Sequence, residues 1–286
     1  MAKQPPHPFI KWLGGKTKIS ESILERLPNK CNTYYEPFVG GGAILIKMAL
    51  SNRFKNAVIN DKNPELINAW KTIKKEPESL ILELRDTSKY LYDKEVYLKI
   101  RSINPKTLDK VQAAARFIYL NKTCFNGLYR VNKSGEFNTP FGKYTNPLIC
   151  DSKNINELNQ ILKKVKIVSK NFDFVESEAK SGDAVYFDPP YIPISKTSNF
   201  SSYTSDKFGD KDHQRLAEVF KNLIDKDVRT VLSNSFCEDS MNLYGSYDIS
   251  HIVGQRSIGG DASYRNSVKE IIVYAGPKNK AEVVDC

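Results

Sequence analysis

Thr33-Tyr34-Tyr35-Glu36-Pro37-Phe38-Val39-Gly40-Gly41-Gly42-Ala43 decides the fold. The aromatic run to Phe38 reads as the end of a strand. Three glycines then permit a sharp turn with close backbone approach. The apolar stretch Ala43 to Leu50 continues as a helix. Ala57-Val58-Ile59-Asn60-Asp61 is a second short buried strand, and it ends in an acid. Asn63-Pro64-Glu65 starts a helix through Trp70, with proline early in the helix, where its missing N–H costs nothing. Strand, glycine turn, helix and acid-tipped strand make the first half of a nucleotide-type α/β unit.

On the N-terminal side, Ile19, Ile23, Leu24 and Leu27 recur at helix spacing, and Pro28-Asn29 ends that pattern. On the other side, residues 75–150 break the α/β rhythm. They contain a helix, Leu108 to Asn121, and a polar aromatic loop, Thr123 to Tyr144. Strand character returns at Val165-Lys166-Ile167-Val168 and at Ala184-Val185-Tyr186-Phe187-Asp188. A helix over Gln214 to Ile224 precedes the strand Thr230-Val231-Leu232-Ser233. Tyr247 to Val253 and Glu270 to Tyr274 pair as a terminal hairpin. The sequence has no internal repeat and no low-complexity tract. The expected division is a catalytic domain from residues 1–74 and 151–286, with residues 75–150 inserted as an accessory domain.

The 286 residues, 40% of them hydrophobic, suffice for one sizeable core. Lys and Arg number 43 against 33 Asp and Glu, a net charge of +10, which suits a polyanionic partner. No stretch approaches the ~20 apolar residues of a membrane span. The lead Met1-Ala2-Lys3-Gln4-Pro5-Pro6 has no apolar run of signal-peptide type, so a cytoplasmic location is expected. Cys31, Cys124, Cys150, Cys237 and Cys286 are scattered and include no CxxC pair. Neither a metal site nor a disulfide framework is expected.

Four motifs carry chemistry. Asp188-Pro189-Pro190-Tyr191 closes an apolar strand, where open α/β sheets gather their ligands. Two prolines stiffen the turn, which aims a carboxylate and backbone carbonyls at one point. Such acceptors suit an aromatic amine. They pull electron density back onto its nitrogen, while Tyr191 offers a stacking face. The second motif, Glu36 to Ala43, lacks dinucleotide G-x-G-x-x-G spacing and alone fits a plain tight turn as well as a cofactor loop. Asp61, about 20 residues on, strengthens it, because an acid there accepts from ribose hydroxyls. The third, Lys11-Trp12-Leu13-Gly14-Gly15-Lys16-Thr17, ends like a phosphate-binding loop but has Ile10 where that loop needs glycine. In the fourth, Asn121 to Lys133 and Gly135 to Tyr144, basic, amide and aromatic residues interleave. Arginine can read guanine there, leucine can meet a thymine methyl, and an aromatic or asparagine can fill the gap left by an extruded base.

In this order the four motifs resemble those of Dam-type, D12-class DNA adenine-N6 methyltransferases, from about Phe9 to Tyr274. The resemblance implies an α/β, Rossmann-like seven-stranded S-adenosylmethionine-dependent methyltransferase fold, with residues 75–150 as a small, mainly helical target-recognition domain. It implies cofactor contacts from Trp12, Lys16, Glu36, Phe38, Gly40, Gly41, Asp61, Asp173, Phe174 and Asp188. Asp61 would take the ribose and Asp173-Phe174 the adenine. Asp188, Pro189, Pro190 and Tyr191 would be the catalytic tetrapeptide. The implied DNA-facing set is Lys11, Phe125, Asn126, Leu128, Arg130, Asn132, Pro140 and Tyr144. In that set Arg130 would read a guanine, Leu128 would touch a thymine and Asn126 would enter the opened stack. A GATC-like site in double-stranded DNA, a monomeric protein and no metal complete the expectation. Gly259-Gly260-Asp261 has no assigned counterpart. Cytosine-N4 methylation shares the amine chemistry, and a catalytically inactive DNA-binding module is the alternative of another class. Cytosine-C5 chemistry is excluded, because its nucleophilic cysteine follows proline and no cysteine here does.

Overall fold

The computed structural model describes residues 4–194, 208–254 and 268–278. Seven strands form one sheet: β1 (Cys31–Glu36), β2 (Phe54–Asn60), β3 (Val165–Val168), β4 (Ala184–Phe187), β5 (Arg229–Ser235), β6 (Asp248–Gly254) and β7 (Val268–Ala275). Their order is β3-β2-β1-β4-β5-β7-β6. The first five are parallel, and β7 runs antiparallel to both β5 and β6. Chain direction across the sheet reverses between β1 and β4. A crevice therefore opens there at the carboxyl ends, where ligands of such sheets bind. The expected seven-stranded Rossmann-like α/β fold is present, and so is the terminal hairpin.

The helices are α1 (Ser20–Leu24), α2 (Ala43–Leu50), α3 (Pro64–Lys75), α4 (Pro77–Leu84), α5 (Lys94–Ser102), α6 (Lys110–Thr123), α7 (Ser152–Leu162), α8 (Phe174–Glu178), α9 (Asp210–Ile224) and α10 (Glu238–Tyr244). Several boundaries differ from the periodicity reading: β2 starts earlier, at Phe54, α3 runs on to Lys75 and α9 starts earlier, at Asp210, and at two further helices the local cause is visible. The first helix shrinks to Ser20–Leu24 because Lys16–Lys18 takes a tighter 3-10 turn ahead of it. The helix expected over 108–121 starts at Lys110 because the Asp109 side chain caps it, accepting from the Gln112 N–H. Helices α4 and α5 went unplaced in the sequence.

β4 is buried along its whole length, so it reads as an unbroken apolar run. Its alternation feeds two cores. Ala184 and Tyr186 pack with Tyr34, Trp70, Phe117 and Tyr119 on one face. Val185 and Phe187 pack with Leu216, Phe220, Ile271 and Val273 on the other. Residues 76–150 join the first of these cores through Leu80, Tyr97, Phe117 and Tyr119. Helix α6 is buried on nearly every side from Ala114 to Asn121, as a helix must be when partners surround it.

One charged residue lies inside this packing. Arg116 is buried, and its guanidinium bonds Glu65 Oε2 at 3.1 Å, the Ile100 carbonyl at 3.1 Å and the Arg101 carbonyl at 2.9 Å. Glu65 Oε1 accepts from the Tyr129 hydroxyl at 3.0 Å. This knot ties α3, α5, α6 and the following loop. Removing one partner of a buried pair strands the other, so Arg116→Ala is expected to cost about 3–5 kcal/mol. Urea denaturation measures this, and an unchanged midpoint would show that the knot carries no stability.

Candidate active site

The crevice is built from four strand ends and the lead segment that folds over them. Gly42, at φ +73°, caps α2, and a Cβ there would meet the Trp70 indole at 2.7 Å. Gly40, at φ +47°, lies under Trp12, and a Cβ there would come within 2.5 Å of its indole. Only glycine satisfies both turns. The Trp70 Nε1–H donates to the Gly40 carbonyl at 3.1 Å, fixing the loop from below.

Asp61 follows β2. Its Oδ2 accepts from the Gly40 N–H at 3.1 Å and its Oδ1 from the Asn63 N–H at 2.9 Å. Asn63 in turn caps α3 through the Glu65 and Leu66 N–H groups. The acid is thus held by the glycine loop and the helix start together. Burial pushes its pKa up to about 6, against the pull of these backbone bonds. Each oxygen keeps a lone pair for a further donor.

Glu36 ends β1 and is buried, accepting from the Tyr34 hydroxyl at 2.8 Å. Burial lifts its carboxyl to about 8, with the Asp188 charge adding to the rise. Asp188 follows β4. Its Oδ1 takes two bonds, from Lys16 Nζ at 2.8 Å and from Ser233 Oγ at 2.9 Å. Ser233 is itself 2.9 Å from the Tyr186 hydroxyl. Burial raises the Asp188 carboxyl, with Lys16 opposing. Lys16 is buried too, and its ammonium also donates to the Gly14 carbonyl at 2.6 Å.

Pro189 is buried and Pro190 exposed. The Ile192 N–H donates to Asn234 Oδ1 at 3.0 Å, closing the turn against β5. Lys16 Nζ lies 4.6 Å from the centroid of the Tyr191 ring. Ser233 and Asn234 were missed in the sequence. The signal available was two polar residues continuing an apolar strand that points at the crevice.

Aromatic rings line the other flank. Phe38 stacks on Phe172 at 5.5 Å and meets Phe208 edge-on at 5.7 Å. Phe174 turns the other way, onto Tyr35, and Asp173 pairs with Arg215 at 3.5 Å. Phe172, one turn of the chain earlier in register, is therefore the ring brought beside Phe38. Sequence reasoning missed it.

The DNA-facing set is only partly gathered. Asn121 accepts from the Lys11 N–H at 2.9 Å and donates to the Lys11 and Gly127 carbonyls at 2.8 and 2.9 Å. It staples the lead segment to the loop. A Cβ on Gly127 would strike Lys11 at 2.5 Å. Asn126 takes a left-handed φ of +54°, beside an exposed Phe125. Tyr144 donates to the Cys124 carbonyl at 2.8 Å, and Lys11 Nζ lies 4.7 Å from its ring. The Pro140 carbonyl accepts from the Phe125 N–H, and the Leu128 carbonyl from Thr139 Oγ1. Arg130 is committed to Asn138, through Nε at 2.7 Å and Nη2 at 2.9 Å. Asn132 shapes its own turn, accepting from the Ser134 and Glu136 N–H groups. Gly259-Gly260-Asp261 lies outside the described residues. Among the described residues no cluster of His, Cys, Asp or Glu could hold a metal ion, and no helix is long and apolar enough to cross a membrane.

Residues 12–258 match the family of D12 class N6 adenine-specific DNA methyltransferases. The chain is 41% identical over 282 residues to the Type II methyltransferase M.MjaIII of Methanocaldococcus jannaschii, covering 93% of this chain and 98% of that one. It is 42% identical over 272 residues to the Type II methyltransferase M1.LlaDCHI of Lactococcus lactis subsp. cremoris, covering 93% and 94%. Against a DNA adenine methylase of Escherichia coli the figures are 30% over 275 residues, covering 94% and 95%. A braced carboxylate at a strand crest and a glycine loop beside an acid agree with a family match over most of the chain: this protein belongs to the D12 class of N6 adenine-specific DNA methyltransferases.

Proposed function

We propose that the methyl donor is S-adenosylmethionine, that the acceptor is an adenine extruded from double-stranded DNA, and that the recognised site is GATC-like. The observation that carries this reading is the half-buried Asp188 carboxylate, braced by Ser233 and paired with a Lys16 ammonium that also lies over the Tyr191 ring.

The crevice fits a nucleoside with a charged tail. Asp61 presents free lone pairs for ribose hydroxyls. Phe38 and Phe172 offer flat apolar faces for a purine. Gly40 lets the Trp12 indole pack directly on the loop, which sets the indole at the edge of the crevice. Lys16 supplies a cation for a carboxylate, and the buried Glu36 carboxyl supplies an oxygen acceptor for an ammonium N–H. S-adenosylmethionine bound there would supply an activated sulfonium methyl and, as its S–CH3 bond gives way to the new N–CH3 bond, would leave as S-adenosyl-L-homocysteine. Asp188 accepts from the target amine through Oδ2, keeping the nitrogen lone pair available, and the surplus amine proton is released along that hydrogen bond to solvent. The stiff Asp188-Pro189-Pro190 corner fixes the approach line, and Tyr191 stacks on the base. Alignment of this kind supplies most of the acceleration without a strong base. Extrusion costs a few kcal/mol, which stacking and the Asp188 hydrogen bond offset.

Residues 75–150 serve as the target-recognition domain in this reading, with residues 1–74 and 151–286 as the catalytic domain. Asn126 and Phe125 enter the opened stack. Leu128 meets a thymine. Arg130 exchanges its Asn138 partners for a guanine edge. Lys11 and Tyr144 face the first base pair, and Pro140 and Asn132 shape the loop. The protein acts as a monomer in the cytoplasm.

Three outcomes test these roles. Asp188→Ala should abolish methyl incorporation into duplex DNA while leaving the fold intact by circular dichroism, and surviving turnover would remove the mechanism. Arg130→Ala should lose about 1–3 kcal/mol of discrimination at a single base, read by sequencing modified adenines across a genome. Asp61 gives a pH signature. Its raised pKa means that the uncharged carboxyl persists to about 6, so its contribution to folding is greatest at low pH and fades as pH rises through that value. Ribose binding needs the ionised form, so the sign for cofactor is opposite. Affinity should climb between about pH 5 and 7 and then level off, followed by tryptophan fluorescence. Asp61→Asn should flatten that climb.

A further inference from the structure

Glu270 has no role in the chemistry described so far. It lies on β7, opposite Ser235 of β5 and Ile252 of β6. Alternation along the strand puts it on the same face as Ile272, which packs in the core that holds Tyr186. Ile271, Ile272 and Val273 are all fully buried, so an acid directly before them is out of pattern. A carboxylate at the inner end of an apolar strand needs a partner to offset its desolvation. That partner is Tyr191, whose hydroxyl donates to Glu270 Oε2 at 2.8 Å.

The consequence follows from geometry. A tyrosine ring on the turn after β4 pivots about two side-chain bonds. Its hydroxyl oxygen lies on the axis of the second of these bonds, so tying it fixes where the ring axis points; the phenol O–H prefers the plane of the ring, so a fixed acceptor also biases that plane, and the Lys16 ammonium over the face limits rotation further. The ring is then held at three places: the rigid proline turn, the Glu270 carboxylate and the Lys16 ammonium 4.6 Å from its centroid. Desolvation, with the Asp188 and Glu270 charges adding to it, raises the phenol far above its ordinary value, so it stays a donor at every working pH. A charged acceptor makes this bond stronger than a neutral one.

We propose that Glu270 is a positioning residue for methyl transfer, which orients the Tyr191 ring through its hydroxyl and so presents a fixed stacking plane to the extruded adenine. It does not touch the base. The proposal rests on the stacking role given to Tyr191 above.

The test uses the full-length protein with duplex DNA carrying 2-aminopurine at the target adenine for fluorescence, and unmodified duplex for turnover. Glu270→Ala, Tyr191→Phe and the double variant should each lower kcat about tenfold, equivalent to about 1.4 kcal/mol at the barrier, with KM for DNA little changed. The double variant should be no worse than either single one, because all three lose one and the same bond. Glu270→Gln, which keeps an acceptor, should recover most of the activity. A structural role alone would not give that rescue or that non-additivity. In fluorescence, Glu270→Ala should brighten the extruded 2-aminopurine, since a loose ring quenches less. The proposal is overturned if Glu270→Ala keeps wild-type kcat, if Tyr191→Phe does so while Glu270→Ala falls, or if the double variant's loss is the product of the two. Tyr191→Ala separates the two layers. If it leaves the fluorescence unaltered there is no stacking platform, and the anchor falls with it. If it brightens the signal while Glu270→Ala does not, the platform stands and only the anchor fails.

Discussion

Asp188 accepts a hydrogen bond from Ser233 and an ion pair from Lys16 at the end of a strand that is buried on both faces. The surroundings of that carboxylate constrain much of the molecule. Desolvation pushes it toward the neutral acid, which would be a poor acceptor for an amine. Keeping it useful requires a cation and a hydroxyl close by. They come from distant parts of the chain: Lys16 from the lead segment and Ser233 from β5. Tyr186 extends the network on β4 itself, two residues before the acid. The sheet order explains why these parts meet. β4 sits between β1 and β5, so its carboxyl end is flanked by Glu36 on one side and Ser233 on the other. The protein holds Glu36 partly protonated near neutrality and balances Asp188 with Lys16, and thereby avoids two unpaired carboxylates side by side.

Much of this was legible in the sequence because the signals were local. Ala43–Leu50 and Val165–Val168 fall where periodicity and turn residues put them, and Asn63-Pro64 caps its helix as those two residues prescribe. The tetrapeptide at 188–191 and the glycine loop at 40–42 announced themselves by composition. What stayed hidden depends on register. Phe172 and Phe174 are two residues apart in one short aromatic run, and only the packed structure tells which one faces Phe38. Ser233 and Asn234 lie in the polar end of β5, and Glu270 directly precedes the apolar run of β7. Their meaning appears only when β5 and β7 are aligned beside β4. Arg130 is the reverse case. Its identity pointed to guanine, yet in the free chain its fork is engaged by Asn138.

That engagement has a physical sense. A bare arginine on a loop would hold many rotamers, and ordering it at binding would cost side-chain entropy. Bonded to Asn138, which also donates its N–H to the Arg130 carbonyl, the guanidinium starts from one geometry. Asn132 and Glu136 hold the tip of the same turn, so the whole segment from Arg130 to Asn138 is built by its own side chains.

The lead segment joins these parts. Within the run Lys11 to Lys16, one residue touches each functional region. Lys11 packs on Gly127 and faces the Tyr144 ring; Trp12 covers Gly40 and reaches Tyr129 at 5.8 Å; Lys16 pairs with Asp188. Asn121 clamps the backbone of this run at Lys11 with two bonds, one in each direction. Gly14, at φ +77°, and Gly15 turn the run between these contacts, and the Gly15 N–H donates to the Trp12 carbonyl at 3.0 Å. The K-W-x-G-G-K pattern reads as a lone phosphate-loop fragment when taken by itself. In the folded chain its cation, indole and glycines lie between the Gly127 loop and the Asp188 carboxylate.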